Sequence, residues 1–245
     1  MQRYKLTLEY DGTPFSGWQK QADLLTVQGV VETACSTFAD GPTEVQCSGR
    51  TDAGVHALGQ VVHVDFPVSR TPLHIIRGLN ILMLPHPIVV REAEAVQPEF
   101  HARFDSKQRV YRYQIINRLP RLSLDEKRAW HVSKPLDVEA MREGAKYLIG
   151  HHDFSSFRSS ECQSNSPMRT LDRLSITREG DGITIETAAR SFLHHQVRNM
   201  VGTLVLVGQG KWQPSDVKSA LEARDRRASG PNAPAHGLYF LRVEY

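Results

Sequence analysis

Apolar and polar residues alternate from the start of the chain. Leu6, Leu8 and Tyr10 fall on one side of Lys5, Thr7 and Glu9, the period of a half-buried strand. Thr26 then precedes Val27, Val30, Val31, Ala34 and Phe38, a spacing that predicts a helix capped by the threonine. Strand-like stretches follow at residues 44–48 and 60–66. Thr71 with Pro72 reads as an N-cap and a first-turn proline, opening a helix that carries Leu73, Ile76 and Leu79. Residues 88–95 supply another strand, so the order is β-α-β-β-α-β.

The second half repeats that order. Residues 109–117 read as a strand, and Asp137 caps a helix bearing Val138, Met141, Ala145 and Leu148, with Gly150 just beyond. Residues 169–178 and 182–189 form a hairpin through Gly180, Asp181 and Gly182. A helix spans about 195–207 and continues after Pro214, and residues 237–245 close as a strand. The pattern predicts an α+β fold of two ferredoxin-like (βαββαβ) subdomains, 1–105 and 106–245. The Ser- and Asn-bearing stretch 157–167 is the expected mobile loop.

With 245 residues, 40% hydrophobic and 23% charged, the composition is that of an ordinary folded protein rather than a disordered one. The most apolar stretch, residues 79–90, is broken by Pro85, His86 and Pro87, and no signal-peptide pattern opens the chain. Cys35, Cys47 and Cys162 are too few and too scattered for a disulfide framework. A reduced, cytoplasmic protein without a membrane span is the expectation. The net charge of +3 is compatible with an RNA partner without requiring one. Its distribution is more informative: Arg103, Lys107, Arg109, Arg112, Arg118 and Arg121 are interleaved with Phe104, Tyr111 and Tyr113. Cations for phosphates beside rings for bases make a nucleic-acid surface. An edge strand with solvated charges has the same composition.

Candidate chemistry concentrates in residues 49–56, Gly-Arg-Thr-Asp-Ala-Gly-Val-His. The glycines suit a shaped loop that presents Asp52 to a ligand. Val55 and His56 stand where a phosphate-binding loop needs Lys and Ser or Thr, which excludes that motif. A glycine-bearing turn with a capping aspartate is the plainer reading of the same residues. No Cys-x-x-Cys or zinc-deaminase signature occurs, and since neighbours in a helix or strand point in different directions, the pairs His151-His152 and His194-His195 are expected in structural or RNA-facing roles rather than as metal ligands, so no metal is expected. G-x-S-x-G is absent, and Gly208-Gln209-Gly210 lacks the third glycine of a dinucleotide fingerprint; no cofactor is implied. Tyr111 and Tyr113 share one strand face, where core packing is the default. Arg198, amid the apolar stretch 192–202, reads as a surface arginine with a buried stem or as half of a buried ion pair, with Asp52 as its partner.

Five segments in order resemble the tRNA pseudouridine synthase A family: Tyr10-Asp11-Gly12-Thr13 with Gly17-Trp18-Gln19, Thr26-Val27-Gln28-Gly29, residues 49–56, residues 107–113 and residues 192–202. The resemblance covers the chain from Tyr4 to Tyr245. It implies two ferredoxin-like subdomains forming a continuous, mostly antiparallel sheet with a central cleft, the pseudouridine synthase fold. It further implies cofactor-free isomerisation of uridine to pseudouridine at positions 38 to 40 of tRNA, in the anticodon arm, by a homodimer. Asp52 matches the family's essential aspartate, Tyr111 its active-site tyrosine and Arg198 the basic residue paired with the aspartate. Arg50 and His56 flank the nucleophile and would hold the space left by an extruded nucleotide. Arg103, Lys107 and residues 224–227 are the candidate phosphate contacts. Two other functions compete: an RNA-binding protein without catalysis, and a glycoside hydrolase using Asp65 or Asp105 as a second carboxylate.

Overall fold

Threonines cap the first two helices. In the computed structural model, which describes residues 1–245, the first unit runs β1 (Gln2–Tyr10), α1 (Val27–Ala39), β2 (Val45–Cys47), β3 (His56–Phe66), α2 (Pro72–Leu82) and β4 (Ile88–Val96). Thr26 accepts the Gly29 N–H and Thr71 the His74 N–H, each satisfying a donor that the helix start leaves without a partner. The strands lie in the order β4-β1-β3-β2, every pair antiparallel. Tyr4, Leu6, Leu8 and Tyr10 turn inward from β1, against Val27, Val31, Ala34 and Cys35 of α1 and Ile75 and Leu79 of α2. The phase of α2 differs from expectation. Leu73 is exposed, and the buried stripe is Ile75 and Leu79, four residues apart on one face, with the Phe38 ring close against Gly78.

The second unit contains β5 (Gln108–Asn117), β6 (Trp130–Val132), α3 (Val138–Lys146), β7 (Gly150–Asp153), β8 (Met168–Glu179), β9 (Gly182–Ala189), α4 (Gln196–Gly208) and α5 (Pro214–Ala223). β5, β9, β8 and β7 pair antiparallel in that order, and β6 runs parallel to β5. Asp137 caps α3 by accepting the Ala140 N–H. Helix α4 is buried on nearly every side, its apolar residues packed all round and its buried Asn199 and Thr203 hydrogen-bonded to backbone carbonyls. Strands β6 and β7 were not anticipated, since three and four residues are too short to display a period. Gly150, expected as a helix stop, instead opens β7.

The closing strand expected over 237–245 is β10 (Leu238–Glu244). It pairs in parallel with β3, Tyr239 opposite His56 and Phe240 opposite Ala57. The compact units are accordingly 1–107 with 239–245, and 108–238. A missing side chain permits the pairing: a Cβ on Gly59 would stand 2.6 Å from the Leu241 carbonyl oxygen. β2 occupies the other half of the same edge of β3, opposite Val62 to Val64. No helix is long and apolar enough to cross a membrane.

One buried group of the first unit makes its stability depend on pH. His63, on β3, accepts the Ala102 N–H at Nδ1 (3.1 Å) and lies edge-on to His101. Burial pushes its pKa from 6.5 down to about 4, the Arg3 and His101 charges adding to the effect and Asp65 and Asp105 opposing it. Between those values the unfolded chain binds a proton that the folded chain refuses. Stability therefore rises with pH across that window, is complete above it, and is lost on acidification through it. His63→Asn retains an acceptor but no titration, so its urea midpoint is expected to fall less than that of the wild type between pH 7 and about 4.5. Parallel losses in the two proteins would show that His63 carries none of the slope.

Candidate active site

The loop from β2 to β3 is held from both sides before Asp52 is reached. Ser48 donates its N–H to the Val61 carbonyl (2.8 Å) and its hydroxyl to Gln60 Oε1 (2.7 Å). Gln60 Nε2 in turn donates to the Gly49 carbonyl at 2.6 Å. The Thr51 carbonyl accepts the Trp18 N–H (2.9 Å), and its hydroxyl shares a hydrogen bond with the Tyr10 phenol (2.8 Å). Burial raises the Tyr10 pKa far beyond the ordinary range, so the phenol stays protonated. Val55 N–H closes back on the Asp52 carbonyl at 3.1 Å. Asp52 thus sits half-exposed on a tight turn between the buried Thr51 and Val55.

Two glycines let segment 10–18 come this close. A Cβ on Gly12 would overlap the Val55 carbonyl, and one on Gly17, whose φ is +90°, would lie 2.9 Å from the Thr51 carbonyl oxygen. The sequence reading quoted both glycines in a motif but gave them no task. Their signal was the pairing of Gly12 and Gly17 around an aromatic-rich turn.

His56 does not face outward. It is 3% exposed, stacked on Tyr239 with ring centroids 4.8 Å apart. Its Nδ1 accepts the Gly12 N–H at 3.0 Å and lies 3.1 Å from Asp11 Oδ1. A ring so enclosed presents almost no surface to a ligand, and its polar contacts go to the Asp11–Gly12 turn.

Arg50, Arg103 and Lys107 are exposed on the first unit. Arg50 and Arg103 lie close enough to Cys47 for their charges to favour its thiolate. Burial outweighs them and pushes the thiol up to about 11, so Cys47 is no nucleophile at neutral pH. Asp65 is taken up by Arg3, which holds both oxygens at 2.7 and 2.8 Å and lowers its pKa by that hydrogen bonding. Asp105 accepts the His101 N–H at 2.8 Å. Neither carboxylate belongs to the Asp52 turn.

The second unit separates the two tyrosines of β5. Tyr113 is fully buried, with its hydroxyl donating to the Pro234 carbonyl (2.7 Å) and its ring against Gly237. Tyr111 is 9% exposed and meets Phe192 edge-to-face at 5.2 Å. Core packing claims Tyr113 and leaves the Tyr111 ring at the margin. Arg198 lies half-buried in the first turn of α4, its Nε donating to the Ala233 carbonyl (2.8 Å), while Ala233 N–H returns to the Arg198 carbonyl (3.2 Å). Several expected surface cations are engaged by the protein itself. Arg109 is buried on the Arg190 carbonyl, Arg112 pairs with Glu186 at 2.7 Å, and Arg226 binds Asn199, Ser229 and Gly230.

A family model described as tRNA pseudouridine synthase matches residues 7–105 and 145–245. The chain belongs to that family. It is 56% identical over 245 residues to the tRNA pseudouridine synthase A of Paramagnetospirillum magneticum, covering 100% of this chain and 96% of the relative. Identity is 55% to the tRNA pseudouridine synthase A of Zymomonas mobilis and 53% to that of Afipia carboxidovorans, in both cases over the full length of both chains. Members of a pseudouridine synthase family are isomerases, so the Asp52 turn is read as part of an isomerase.

The His56 contacts generate a test with two arms. His56→Phe keeps a ring on Tyr239 but offers Gly12 no acceptor, and it should lower kcat by about tenfold, the scale of one buried donor left unsatisfied. His56→Asn places an oxygen near the Nδ1 position and should recover most of that loss while melting earlier. Equal kcat in His56→Phe and wild type, measured beside circular dichroism, would show that the hydrogen bond does not serve the turn.

Proposed function

We propose that this protein converts uridine to pseudouridine at positions 38, 39 and 40 of tRNA, in the anticodon stem-loop, without a cofactor. The observation that carries this reading is full-length similarity to tRNA pseudouridine synthase A, together with an intact Asp52 on a turn fixed at both ends. The reaction breaks the bond from uracil N1 to ribose C1′, turns the base, joins C5 to C1′ and releases the C5 proton. N1 takes up a proton in place of the one lost from C5, so no atom is gained or lost overall and no redox partner is needed.

In this reading Asp52 takes part as the nucleophile in detaching the base. The target nucleotide is flipped out of the stem to reach it. Tyr111 stacks on that base and assists loss of the C5 proton. Arg198 is proposed to keep the carboxylate ionised. Arg50 occupies the space the nucleotide leaves, and Arg103 and Lys107 take backbone phosphates, supported by their exposure. The working form is a homodimer that contacts one tRNA through both copies.

Tritium release from tRNA carrying 5-tritiated uridine measures the reaction directly. Asp52→Asn should release none while its tRNA affinity stays within about tenfold, or roughly 1.4 kcal/mol. A wild type that binds tRNA and releases no tritium would leave an RNA-binding protein instead. Arg198→Met should lose activity with its helix content unchanged. Full activity in that variant would remove the arginine from the mechanism.

A further inference from the structure

Phe104 is the one phenylalanine or tryptophan of this chain that is exposed, at 71%. Its position is fixed rather than loose. Asp105 accepts the His101 N–H (2.8 Å) and returns its own N–H to the His101 carbonyl (3.1 Å). His101 Nδ1 accepts the N–H groups of Arg103 (3.1 Å) and Phe104 (3.4 Å), and Ser106 donates its hydroxyl to the Arg103 carbonyl (2.8 Å). Ala102, fully buried at the centre of the turn, donates its N–H to His63 and accepts the Tyr245 hydroxyl. The turn is bolted to the core, yet it holds a large apolar ring out in water.

The surroundings of the ring indicate what covers it. The His101 ring supports it at 4.3 Å, and the Arg103 guanidinium lies 5.9 Å from its centroid. Lys107 is exposed three residues on, and Arg50 and Arg103 both act on the same thiol, Cys47. Positive charge around an open, preorganised aromatic face suits a polyanion whose units carry flat rings. A base stacks on the ring while its phosphates meet the cations. A ring this wet does not shield a reacting base from solvent, so the nucleotide it receives is not the one isomerised.

We propose that Phe104, with Arg103 and Lys107 beside it, is a stacking site for an unpaired, non-reacting nucleotide of the RNA substrate. The proposal rests on the tRNA reading above and adds a recognition element to it. Stacking on an aromatic side chain is worth about 1–3 kcal/mol per base. Losing it should weaken binding by about tenfold or more and should fall on KM rather than kcat.

Unmodified tRNA transcript is the probe, titrated by fluorescence anisotropy against wild type, Phe104→Leu, Phe104→Trp and Arg103→Gln at several salt concentrations. Phe104→Leu should bind about tenfold more weakly, and Phe104→Trp should match the wild type. Arg103→Gln should reduce the salt slope by about one phosphate contact. Wild-type affinity in Phe104→Leu would overturn the proposal and leave the enzymatic reading intact. A shift in sedimentation of Phe104→Leu that accounts for all of its lost affinity would also overturn it, making the ring a protein contact. A wild type that binds no tRNA would bring down both readings.

Discussion

A carboxylate on a partly exposed turn keeps its place only if the backbone around it is held, and here the Thr51 carbonyl is the holding point. It takes the Trp18 N–H, while the Thr51 hydroxyl shares a hydrogen bond with the Tyr10 phenol, so two links run from segment 10–18 to the residue before Asp52. Both need segment 10–18 pressed onto the 51–56 turn. That closeness exists only because Gly12 and Gly17 carry no Cβ. The constraint is steric first and electrostatic second. A residue larger than hydrogen at either position moves the turn whatever its charge.

The rest of the first unit serves that arrangement. β1 and β3 are neighbours in the sheet, so Tyr10 at the end of one strand and His56 at the start of the next meet at the same edge. β10 then covers the start of β3, laying Tyr239 on the His56 ring and enclosing the Nδ1 contact to Gly12. Burial gives these polar contacts their weight, since a buried donor without a partner costs about 1–3 kcal/mol. The same desolvation keeps Tyr10 and Cys47 protonated. The ionisable side chain left partly in solvent on this turn is therefore Asp52.

What could be read from sequence follows what each signal encodes locally. Thr26, Thr71 and Asp137 announced their helices because a cap is a contact between residues two or three apart. The long strands showed their period, whereas β6 and β7 are too short to have one. The pairing of β10 with β3 was hidden because strand pairing is a long-range choice, and the room that Gly59 leaves for the Leu241 carbonyl is not visible from residues 238–244. The Asp52 loop was legible as a glycine-flanked turn, and the five ordered segments gave it a chemical meaning. The inward turn of His56 was not legible, since nothing in the octet says that Tyr239, far along the chain, will cover it.

The basic stretch around residues 103–121 shows the same limit in electrostatic form. Counted along the chain its cations look equivalent, but strand alternation sorts them. Arg109 goes inward to a carbonyl, Arg112 meets Glu186, and Arg103 and Lys107 lie exposed on the turn before β5. Net charge therefore overstates the surface available to phosphate, since some of the cations it counts are engaged within the protein. A protein of such modest charge cannot hold RNA by bulk attraction alone. Under the proposed tRNA reading, affinity has to come from a few placed cations and from exposed rings such as Phe104 rather than from charge density.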